Sequence, residues 1–443
     1  MSELADAGVR ALLDLFRTGG ASPVDAVRAC LDRIDALDPE VNAVTTLCAD
    51  AALAAAERAA KRWRAGEARP LEGIPYGLKD VIDTAGVRTT RGSGIFDDRV
   101  PGRDAAVVEA VRSAGAILVA KLHTFAFALG GPDVAGFGWT RNPRAPERIA
   151  GGSSSGPAAA LAAGMLPLAI ATDTGGSIRL PAAYCGVAGL RPTPGRVSLD
   201  GVFPLTWTLD AVGPMAREAA DLEPVLPALS ARGLETAPAG CDRVVVGVPR
   251  AWFFEECSRA VLVAVEEALE RMQELGARVI DVEIPHAELA DRIGRTIVTV
   301  EAGAIHEELL ERVGEDAYPP DFAARLVAAR QVGARDYARA LRTRALLADD
   351  FAAAFKLADV VVTPTSAVVA PRYADVADPL GSGASAWREL ATRMTFPVTL
   401  AGVPAVSVPA PVRPGALPVG VQIAAPAGRD ELCLRVAASY GAG

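Results

Sequence analysis

The chain has 443 residues, of which 51% are apolar and 22% charged, a globular composition that can bury a substantial core and argues against disorder. Its formal net charge of −9 argues against a sequence-independent nucleic-acid binder, which needs a basic face. The N-terminus lacks a basic segment followed by an apolar core, and the longest weakly polar stretch, 157–171, is too short to span a bilayer. We therefore expect a cytoplasmic protein with no membrane contact and no direct nucleic-acid contact.

Apolar runs of strand length alternate with helical patterns along the chain, which favours an α/β fold. The first clear helix is predicted at "SPVDAVRACLDRIDAL", with Ser22 as N-cap, Pro23 at the first helical position and Asp25 three residues after the cap. A helix at "DAAVVEAVRSAG" then runs into a strand at "AILVAKL". Strand, helix and strand recur at "RVVVGVP", "SRAVLVAVEEALERMQELG" and "RVIDVEI", and late strands are expected at "ADVVVTPT", "PAVSVPA" and "PVGVQIA".

The chain shows no internal repeat and no low-complexity linker, so a single domain over 1–443 is expected. The segment "LETAPAGCDR" at 234–243 is the best candidate for an internal boundary, and we interpret it as a surface connection within one large domain. The cysteines are scattered without CxxC spacing, which predicts reduced thiols rather than a disulfide framework. They are Cys30, Cys48, Cys185, Cys241, Cys257 and Cys433.

Two clusters of glycine and serine stand close together, "GGSSSGP" at 151–157 and "DTGGSIRLPA" at 173–182. Neither is a Walker phosphate loop, because the lysine of GxxxxGK[ST] is missing. A flexible linker is also a poor interpretation of the first cluster, since a run of small apolar residues follows at once. Pro157 suits the first turn of a helix, which would place exposed backbone amides at the cluster. A nucleophile site and a structural tight turn both stay open on spacing alone.

A serine nucleophile needs a base, because its hydroxyl is weak at its own pKa. His123, His286 and His306 lie in no triad or zinc motif, and each is interpreted as a surface or packing residue. The remaining candidate is Lys79 in "GIPYGLKDVIDTAG", which ends a short apolar stretch and is expected at a strand end. An exposed structural lysine is the alternative. As a base it must be desolvated, which can lower a lysine pKa by up to about 3–5.

These stretches resemble the amidase signature hydrolases, serine amidases with a Ser-Ser-Lys triad. The resemblance is carried by "GIPYGLKDVIDTAG", "GWTRNP", "GGSSSGPAAALAAG", "ATDTGGSIRLPAAYCGVAGLRPTPGRVS" and "WTLDAVGPMAR", and less specifically by the late strand segments. Together these segments cover nearly the full chain. The resemblance implies the family fold, an α/β architecture in which α-helices cover both faces of a large, mixed and twisted β-sheet.

The family's catalytic residues can be carried onto this sequence one by one. The resemblance implies Ser177 as the nucleophile, Ser153 as a bridging serine after a cis peptide bond, and Lys79 as the base. It implies an oxyanion hole at the backbone N–H groups of the nucleophile loop, namely Thr174, Gly175, Gly176 and Ser177. Two glycines there let the backbone close around a developing oxyanion. Arg179 is interpreted as a structural support, with substrate binding as the alternative, and Asp173 as a partner within the same network rather than an acid. No metal and no organic cofactor is implied.

Two functions follow from the resemblance. The first is a serine amidase that hydrolyses the C–N bond of a small carboxamide to a carboxylate and ammonia or an amine, through an acyl-enzyme on Ser177. The alternative is the catalytic A-type subunit of a tRNA-dependent amidotransferase, with glutamine as the ammonia donor. The chain looks short for that role and its acidic balance offers no obvious tRNA surface, which favours the amidase. The expected partners are then a small-molecule amide and, at most, a second copy in a homodimer.

The segment 297–337 matches the family less specifically and is expected to contribute to the pocket wall, where substrate specificity would be set. Several aromatic residues either line an aromatic-accepting pocket or pack in the core, with packing favoured for most of them. They are Phe125, Phe127, Phe137, Trp139 and Trp207. Leu180 favours an apolar wall near the acyl pocket, with a core position as the alternative.

Overall fold

A large mixed sheet with helices packed against it dominates the computed structural model, which describes residues 2–134, 136–230, 240–378 and 381–441. The strands are β1 Val44–Leu47, β2 Pro75–Lys79, β3 Ile117–Leu122, β4 Asp133–Val134, β5 Gly138–Trp139, β6 Arg141–Asn142, β7 Ala145–Ile149, β8 Leu168–Asp173, β9 Ala188–Arg191, β10 Ala211–Ala216, β11 Val245–Val248, β12 Arg278–Asp281, β13 Val360–Pro364, β14 Ala405–Pro409 and β15 Gly420–Ala424. Eleven of them form the main sheet, and β4–β5 and β6–β7 form separate pairs.

The helices connect these strands and flank the sheet. They are α1 Ser2–Asp6, α2 Val9–Thr18, α3 Pro23–Val41, α4 Ala49–Ala65, α5 Ala106–Ser113, α6 Ser155–Ala162, α7 Arg179–Cys185, α8 Val225–Leu229, α9 Arg250–Phe253, α10 Arg259–Glu274, α11 Ala290–Val313, α12 Pro320–Ala329, α13 Ala334–Ala354, α14 Tyr373–Val376, α15 Ser382–Thr392, α16 Thr395–Ala401 and α17 Asp430–Gly441. No helix in the described ranges is long and apolar enough to cross a membrane.

The strand order of the main sheet is β1-β3-β2-β8-β10-β9-β14-β15-β13-β11-β12. Strands β3, β2 and β8 run parallel, as do β13, β11 and β12, while the strands between these groups pair antiparallel. The expected mixed α/β sheet is therefore confirmed. The two parallel groups come from the first and the last parts of the chain, and the β9–β14 pairing joins them.

Both faces of the sheet are buried. Successive side chains along a strand point to opposite faces, and on β8 they enter two different hydrophobic clusters. On β8, Leu168 and Ile170 pack in one hydrophobic cluster, while Ala169 and Ala171 pack in another. Helices α11, α13 and α16 contribute to the first cluster, and helices α3, α4 and α6 to the second. The last residues of β2 and β8, Lys79 and Asp173, are also completely buried.

Most of the sequence-predicted elements are present. Ser22 and Asp25 form the two reciprocal hydrogen bonds of a capping box, and Pro23 begins α3. The predicted helix–strand pair is α5 with β3, and the predicted strand–helix–strand segment is β11, α10 and β12. The cysteines are free thiols, as predicted. Of the proposed surface connection at 234–243, residues 234–239 lie outside the described residues, so the single-domain assignment stays a prediction.

Candidate active site

Lys79 is the last residue of β2 and is completely buried. Strand β2 lies between β3 and β8, so neighbouring strands cover its edges and helices cover its faces. The Lys79 ammonium nitrogen Nζ lies 2.8 Å from Ser153 Oγ and 2.7 Å from Thr172 Oγ1. The strand-end position predicted from the sequence is confirmed, and the lysine donates a hydrogen bond to Ser153 of the first Gly/Ser cluster.

Burial is what sets the protonation of Lys79. Loss of solvent lowers the pKa of Lys79 to about 7, and the negative charges of Asp173 and Asp210 only partly oppose that effect. A large fraction of the amine is therefore neutral near neutral pH and can accept a proton.

Ser153 follows a cis peptide bond after Gly152, as the family resemblance implied. The Gly152 position is tightly enclosed, because a Cβ atom there would collide with the ring of Phe125. Ser153 precedes α6, the helix predicted at this cluster, and is buried apart from its access to the cavity described below. The close packing fixes the serine hydroxyl between Lys79 and that cavity.

Ser177 lies on the short loop between β8 and α7. Gly176 in this loop has φ +125°, and a Cβ atom there would collide with the Thr395 side chain, so both its backbone conformation and its surroundings require glycine. Ser177 is half-buried and lines the same cavity as Ser153. In the described part of the chain no hydrogen bond joins the two serine hydroxyls.

The nucleophile loop presents backbone donors that the protein does not use. Among the described residues, the N–H groups of Thr174, Gly175 and Ser177 donate no hydrogen bond. The N–H of Gly176 differs, because it donates to Asp173 Oδ1 at 2.9 Å. Three of the four amides implied for an oxyanion hole are thus available to a ligand, whereas Gly176 is occupied in holding the loop.

A buried network of charged side chains, Asp173, Arg179 and Arg191, holds the loop that carries Ser177. Asp173 accepts from Arg179 Nη2 at 2.9 Å and Nε at 3.0 Å, and it also contacts Arg191. Burial raises the pKa of the Asp173 carboxyl, but Arg179 and Arg191 more than offset that effect and hold it well below its usual range. Asp173 and Arg179 support the loop, which agrees with their interpretation from the sequence.

Asp210 is a second buried carboxylate at the loop, and the sequence analysis did not single it out. It accepts from Thr174 Oγ1 at 2.5 Å, from the Leu205 N–H at 2.8 Å and from Thr206. The segment "WTLDAVGPMAR" contains it, but nothing in the spacing connects residue 210 with residue 174. Only the antiparallel pairing of β10 with β8 brings them together.

The two serines open into a cavity of about 330 Å³. Its lining combines the catalytic candidates, apolar side chains and three arginines: Phe125, Ala128, Leu129, Gly130, Gly152, Ser153, Thr174, Gly175, Gly176, Ser177, Leu180, Leu205, Arg295, Val298, Thr299, Arg325, Ser385, Trp387, Arg388, Ala391, Thr392 and Phe396. The expected contribution from the segment 297–337 is present. The arginines, Trp387 and Phe396 were not identified from the sequence.

Of the aromatic residues considered for the pocket, only Phe125 lines this cavity in the described part of the chain. Phe127 packs with His306 at 4.7 Å between ring centroids, and Trp139 stacks on Tyr373 at 4.1 Å. Trp207 is 61% exposed. Packing or surface exposure thus accounts for the others, and Leu180 does form part of the cavity wall.

The three histidines lie away from the cavity. His306 is fully buried among aromatic rings, and burial lowers its pKa to about 4, so it is a neutral packing residue. His286 Nδ1 lies 3.0 Å from Asp350, and His123 is buried beside Phe137. Within the described ranges, no group of three or more His, Cys, Asp or Glu side chains is arranged to hold a metal ion.

Comparison with known proteins identifies the family. The model of the amidase family matches residues 25–434. The chain belongs to the amidase signature family. Amide C–N bond hydrolysis is the chemistry that amidase signature enzymes share, so this chain is an amide-hydrolysing enzyme. The fold and family inferred from "GGSSSGP" and "DTGGSIRLPA" are confirmed, while the roles of individual residues stay predictions.

Three of the similar proteins bear on function. The A-type subunit of glutamyl-tRNA(Gln) amidotransferase from Geobacter metallireducens is 36% identical over 480 residues, covering 99% of this chain and 97% of the relative. A chain from a vestigial protein complex related to the origins of an s-triazine catabolic enzyme has a TM-score of 0.89 and 30% identity, covering 98% of each chain. The native peptide amidase of Stenotrophomonas maltophilia has a TM-score of 0.83 and 29% identity, covering 98% and 96%.

These comparisons overturn the prediction about partners. It allowed a small-molecule amide and at most a second copy, whereas the Geobacter relative is one component of a larger amidotransferase, and the neighbour of TM-score 0.89 belongs to a protein complex. The argument from length also fails, because this chain spans 97% of that relative. Overall charge misled here because it averages over the whole surface, while a partner protein contacts only one part of it.

Proposed function

We propose that this chain is the catalytic A-type subunit of a tRNA-dependent amidotransferase, in which it releases ammonia from glutamine for a partner protein. The 36% identity to the A-type subunit of a glutamyl-tRNA(Gln) amidotransferase, over nearly the whole of both chains, supports this proposal. The observation that carries the chemistry is the buried contact of 2.8 Å between Lys79 Nζ and Ser153 Oγ beneath the cavity that holds Ser177.

In the proposed reaction Ser177 Oγ attacks the carbonyl carbon of the side-chain amide. Its proton passes to Ser153, and the Ser153 proton passes to the neutral Lys79 amine. The carbonyl oxygen gains negative charge, which the free N–H groups of Thr174, Gly175 and Ser177 stabilise.

Collapse of the tetrahedral intermediate breaks the C–N bond. The proton held by Lys79 returns through Ser153 to the departing nitrogen, and ammonia leaves. An ester now joins the acyl group to Ser177. Water attacks this ester by the same relay, which forms the carboxylate and restores the Ser177 hydroxyl.

A second candidate is an amidase that releases its ammonia to solvent, as in the reaction first inferred from the sequence. The structural likeness to a peptide amidase, with a TM-score of 0.83, favours it. The two candidates share every chemical step up to the acyl-enzyme. They differ in the donor amide and in whether a partner protein uses the ammonia.

The proposal is tested by incubating the full chain with glutamine and, separately, with a peptide that ends in a carboxamide. Ammonia release is measured, and hydroxylamine is added to trap the acyl-enzyme as a hydroxamate. We expect glutamine to give both products and Ser177→Ala to give neither. Ser198→Ala is the matched control, because Ser198 is an exposed serine that does not line the cavity.

The outcomes separate the two candidates. Hydrolysis of the peptide amide without hydrolysis of glutamine would favour the amidase. Glutamine hydrolysis that increases when the chain is purified together with a bound partner would favour the amidotransferase. Turnover that survives in Ser177→Ala would contradict both, since each requires the same nucleophile.

A further inference from the structure

Three arginines from three different helices converge on the cavity. Arg295 lies on α11, Arg325 on α12 and Arg388 on α15, and all three line the space into which Ser177 opens. Two further groups of the same cavity, Ser153 and Ser177, belong to the proposed chemistry. The arginines have no part in that chemistry, because nothing in the proton relay requires a permanent cation.

Two of these arginines have carboxylate partners, and neither partner lines the cavity. Arg388 Nη2 lies 3.2 Å from Asp321, and Arg295 Nε lies 2.7 Å from Asp291. The second ion pair leaves donors unused, because Arg295 Nη2 is buried and has no hydrogen-bond partner among the described residues. Unused buried donors are costly, so a ligand that accepts from them gains affinity.

Arg325 is the least compensated of the three. In the described part of the chain its guanidinium forms no hydrogen bond and no ion pair within 4.0 Å. Burial and the neighbouring positive charge of Arg388 lower the pKa of Arg325 to about 10, although Asp321 partly opposes this. The group still carries its charge at neutral pH. The cavity wall thus has an excess of positive charge that the protein itself does not neutralise.

The lining contains no acidic residue among those the structure describes. A carboxylate on the substrate therefore meets guanidinium groups, while an ammonium group meets no negative partner. Arginine is also the side chain best suited to bind a carboxylate, because its planar fork can donate two parallel hydrogen bonds.

Resting on the proposed acyl transfer at Ser177, we propose that the cavity selects carboxamides whose acyl group carries a carboxylate, which Arg295, Arg325 and Arg388 bind, and that it does not recognise an ammonium group. Glutamine meets this requirement through its carboxylate alone. A dicarboxylic acid monoamide without an amino group meets it equally well. A neutral amide of the same length does not.

Three ligands of similar size test this inference. Glutaramate is glutamine without its amino group, and butyramide also lacks the carboxylate. Binding of each to full-length Ser177→Ala is measured by titration calorimetry, which needs no turnover, and kcat/KM is measured with the unmodified chain. We expect glutaramate to bind roughly 10- to 100-fold more tightly than butyramide, and glutamine no more tightly than glutaramate.

Arg325→Gln in the Ser177→Ala background should reduce the preference for glutaramate over butyramide at least about tenfold. Arg330→Gln and Arg292→Gln are the matched controls, because these arginines lie close by in sequence but are exposed and do not line the cavity. Equal binding of butyramide and glutaramate would overturn the inference, as would tenfold tighter binding of glutamine than of glutaramate. If binding follows the expectation but no amide is hydrolysed, the inference holds and the proposed function fails.

Discussion

The loop that carries Ser177 and the helices that carry the cavity arginines line the same cavity. The two regions differ in how far their charged side chains are paired with other protein groups. At the loop, Asp173 is completely buried and is satisfied by two arginines and by backbone amides. On the helices, Arg325 has no ion pair within the described residues. A buried carboxylate that is held by several donors is fixed in place, whereas a charged group without an ion-pair partner is available to a ligand. The comparison separates the loop that holds Ser177 in place from the helices that, in our proposal, bind the substrate carboxylate.

The largest difference in the free energy of unfolding should come from removing one carboxylate from each region, Asp173 at the loop and Asp321 beside the helices. Asp173→Asn leaves Arg179 and Arg191 buried without their counter-charge and should lower the free energy of unfolding by about 3–5 kcal/mol. Asp321→Asn removes a buried carboxylate from Arg388, whose side chain keeps some access to solvent at 18% exposure, and should cost less, about 1.5–3 kcal/mol. Urea denaturation of both variants measures the difference. Equal losses would mean that the two regions are compensated alike.

A change of pH should affect the reaction far more than substrate binding. Because the pKa of Lys79 is about 7, the neutral base becomes scarce below that pH, and kcat/KM should fall about tenfold per pH unit, or about 100-fold by pH 5. Arg325, with a pKa of about 10, stays charged over this range, so binding of glutaramate to Ser177→Ala should be nearly constant between pH 6 and 8. A rate that is flat down to pH 5 would exclude Lys79 as the base.

Lys79 should also change how the free energy of unfolding depends on pH. Its pKa is lower in the folded chain than its ordinary value of 10.5, so the unfolded chain binds the proton more tightly between about pH 7 and pH 10.5. The contribution of Lys79 to stability therefore rises with pH across that window. Lys79→Met should remove up to about 1.4 kcal/mol per pH unit of this slope. Denaturation midpoints measured between pH 7 and 9 give the result, and an unchanged slope would contradict a buried, neutral lysine.

A smaller effect should separate two glycines of the cavity wall. Gly152→Ala places a methyl group against the Phe125 ring and should cost about 1–3 kcal/mol while displacing Ser153. Gly130→Ala meets its nearest neighbour, Ala126, at an ordinary 3.4 Å and should be tolerated. Thermal unfolding and ammonia release measure both effects. Similar behaviour of the two variants would show that the nucleophile side is less rigid than its packing indicates.

The smallest effect concerns the hydrogen bonds that hold α11, the helix that carries Arg295. Glu301 on α11 accepts from Tyr337 Oη at 2.8 Å and also from the Trp207 and Thr208 backbone amides. Tyr337→Phe removes one of several hydrogen bonds to Glu301. It should lower the free energy of unfolding by about 1 kcal/mol with little change in kcat. Urea denaturation and ammonia release measure the two quantities. A large loss of activity would indicate that this side also positions reacting atoms.

The sequence predicted the segments that carry Lys79, Ser153 and Ser177 much better than the helices that carry the cavity arginines, and the reason is physical. Lys79, Ser153 and Ser177 stand in short segments whose glycines and apolar neighbours restrict the backbone, so local pattern and chemistry agree. The occupied amide of Gly176 escaped prediction, because it depends on where the Asp173 side chain turns. Asp210 escaped because strand pairing, rather than spacing, brings it to Thr174.

The three arginines carry no local signal at all. Arg295, Arg325 and Arg388 lie on separate helices, and an arginine on a helix is usually a solvated surface residue. Only the packing of α11, α12 and α15 around one cavity shows that they share a site. Partner proteins were mispredicted for a related reason, since a net charge of −9 describes no particular surface.

The contacts of Arg179 have a consequence for synthesis of the chain on the ribosome. Its guanidinium donates to the Thr395 carbonyl and to the Gln422 side chain, which follow it by 216 and 243 residues. A nascent chain therefore exposes the Ser177 loop long before the residues that anchor it exist. Since Arg179 holds Asp173, and Asp173 holds the Gly176 amide, these contacts of the Ser177 loop are complete only after residue 422 has been synthesised.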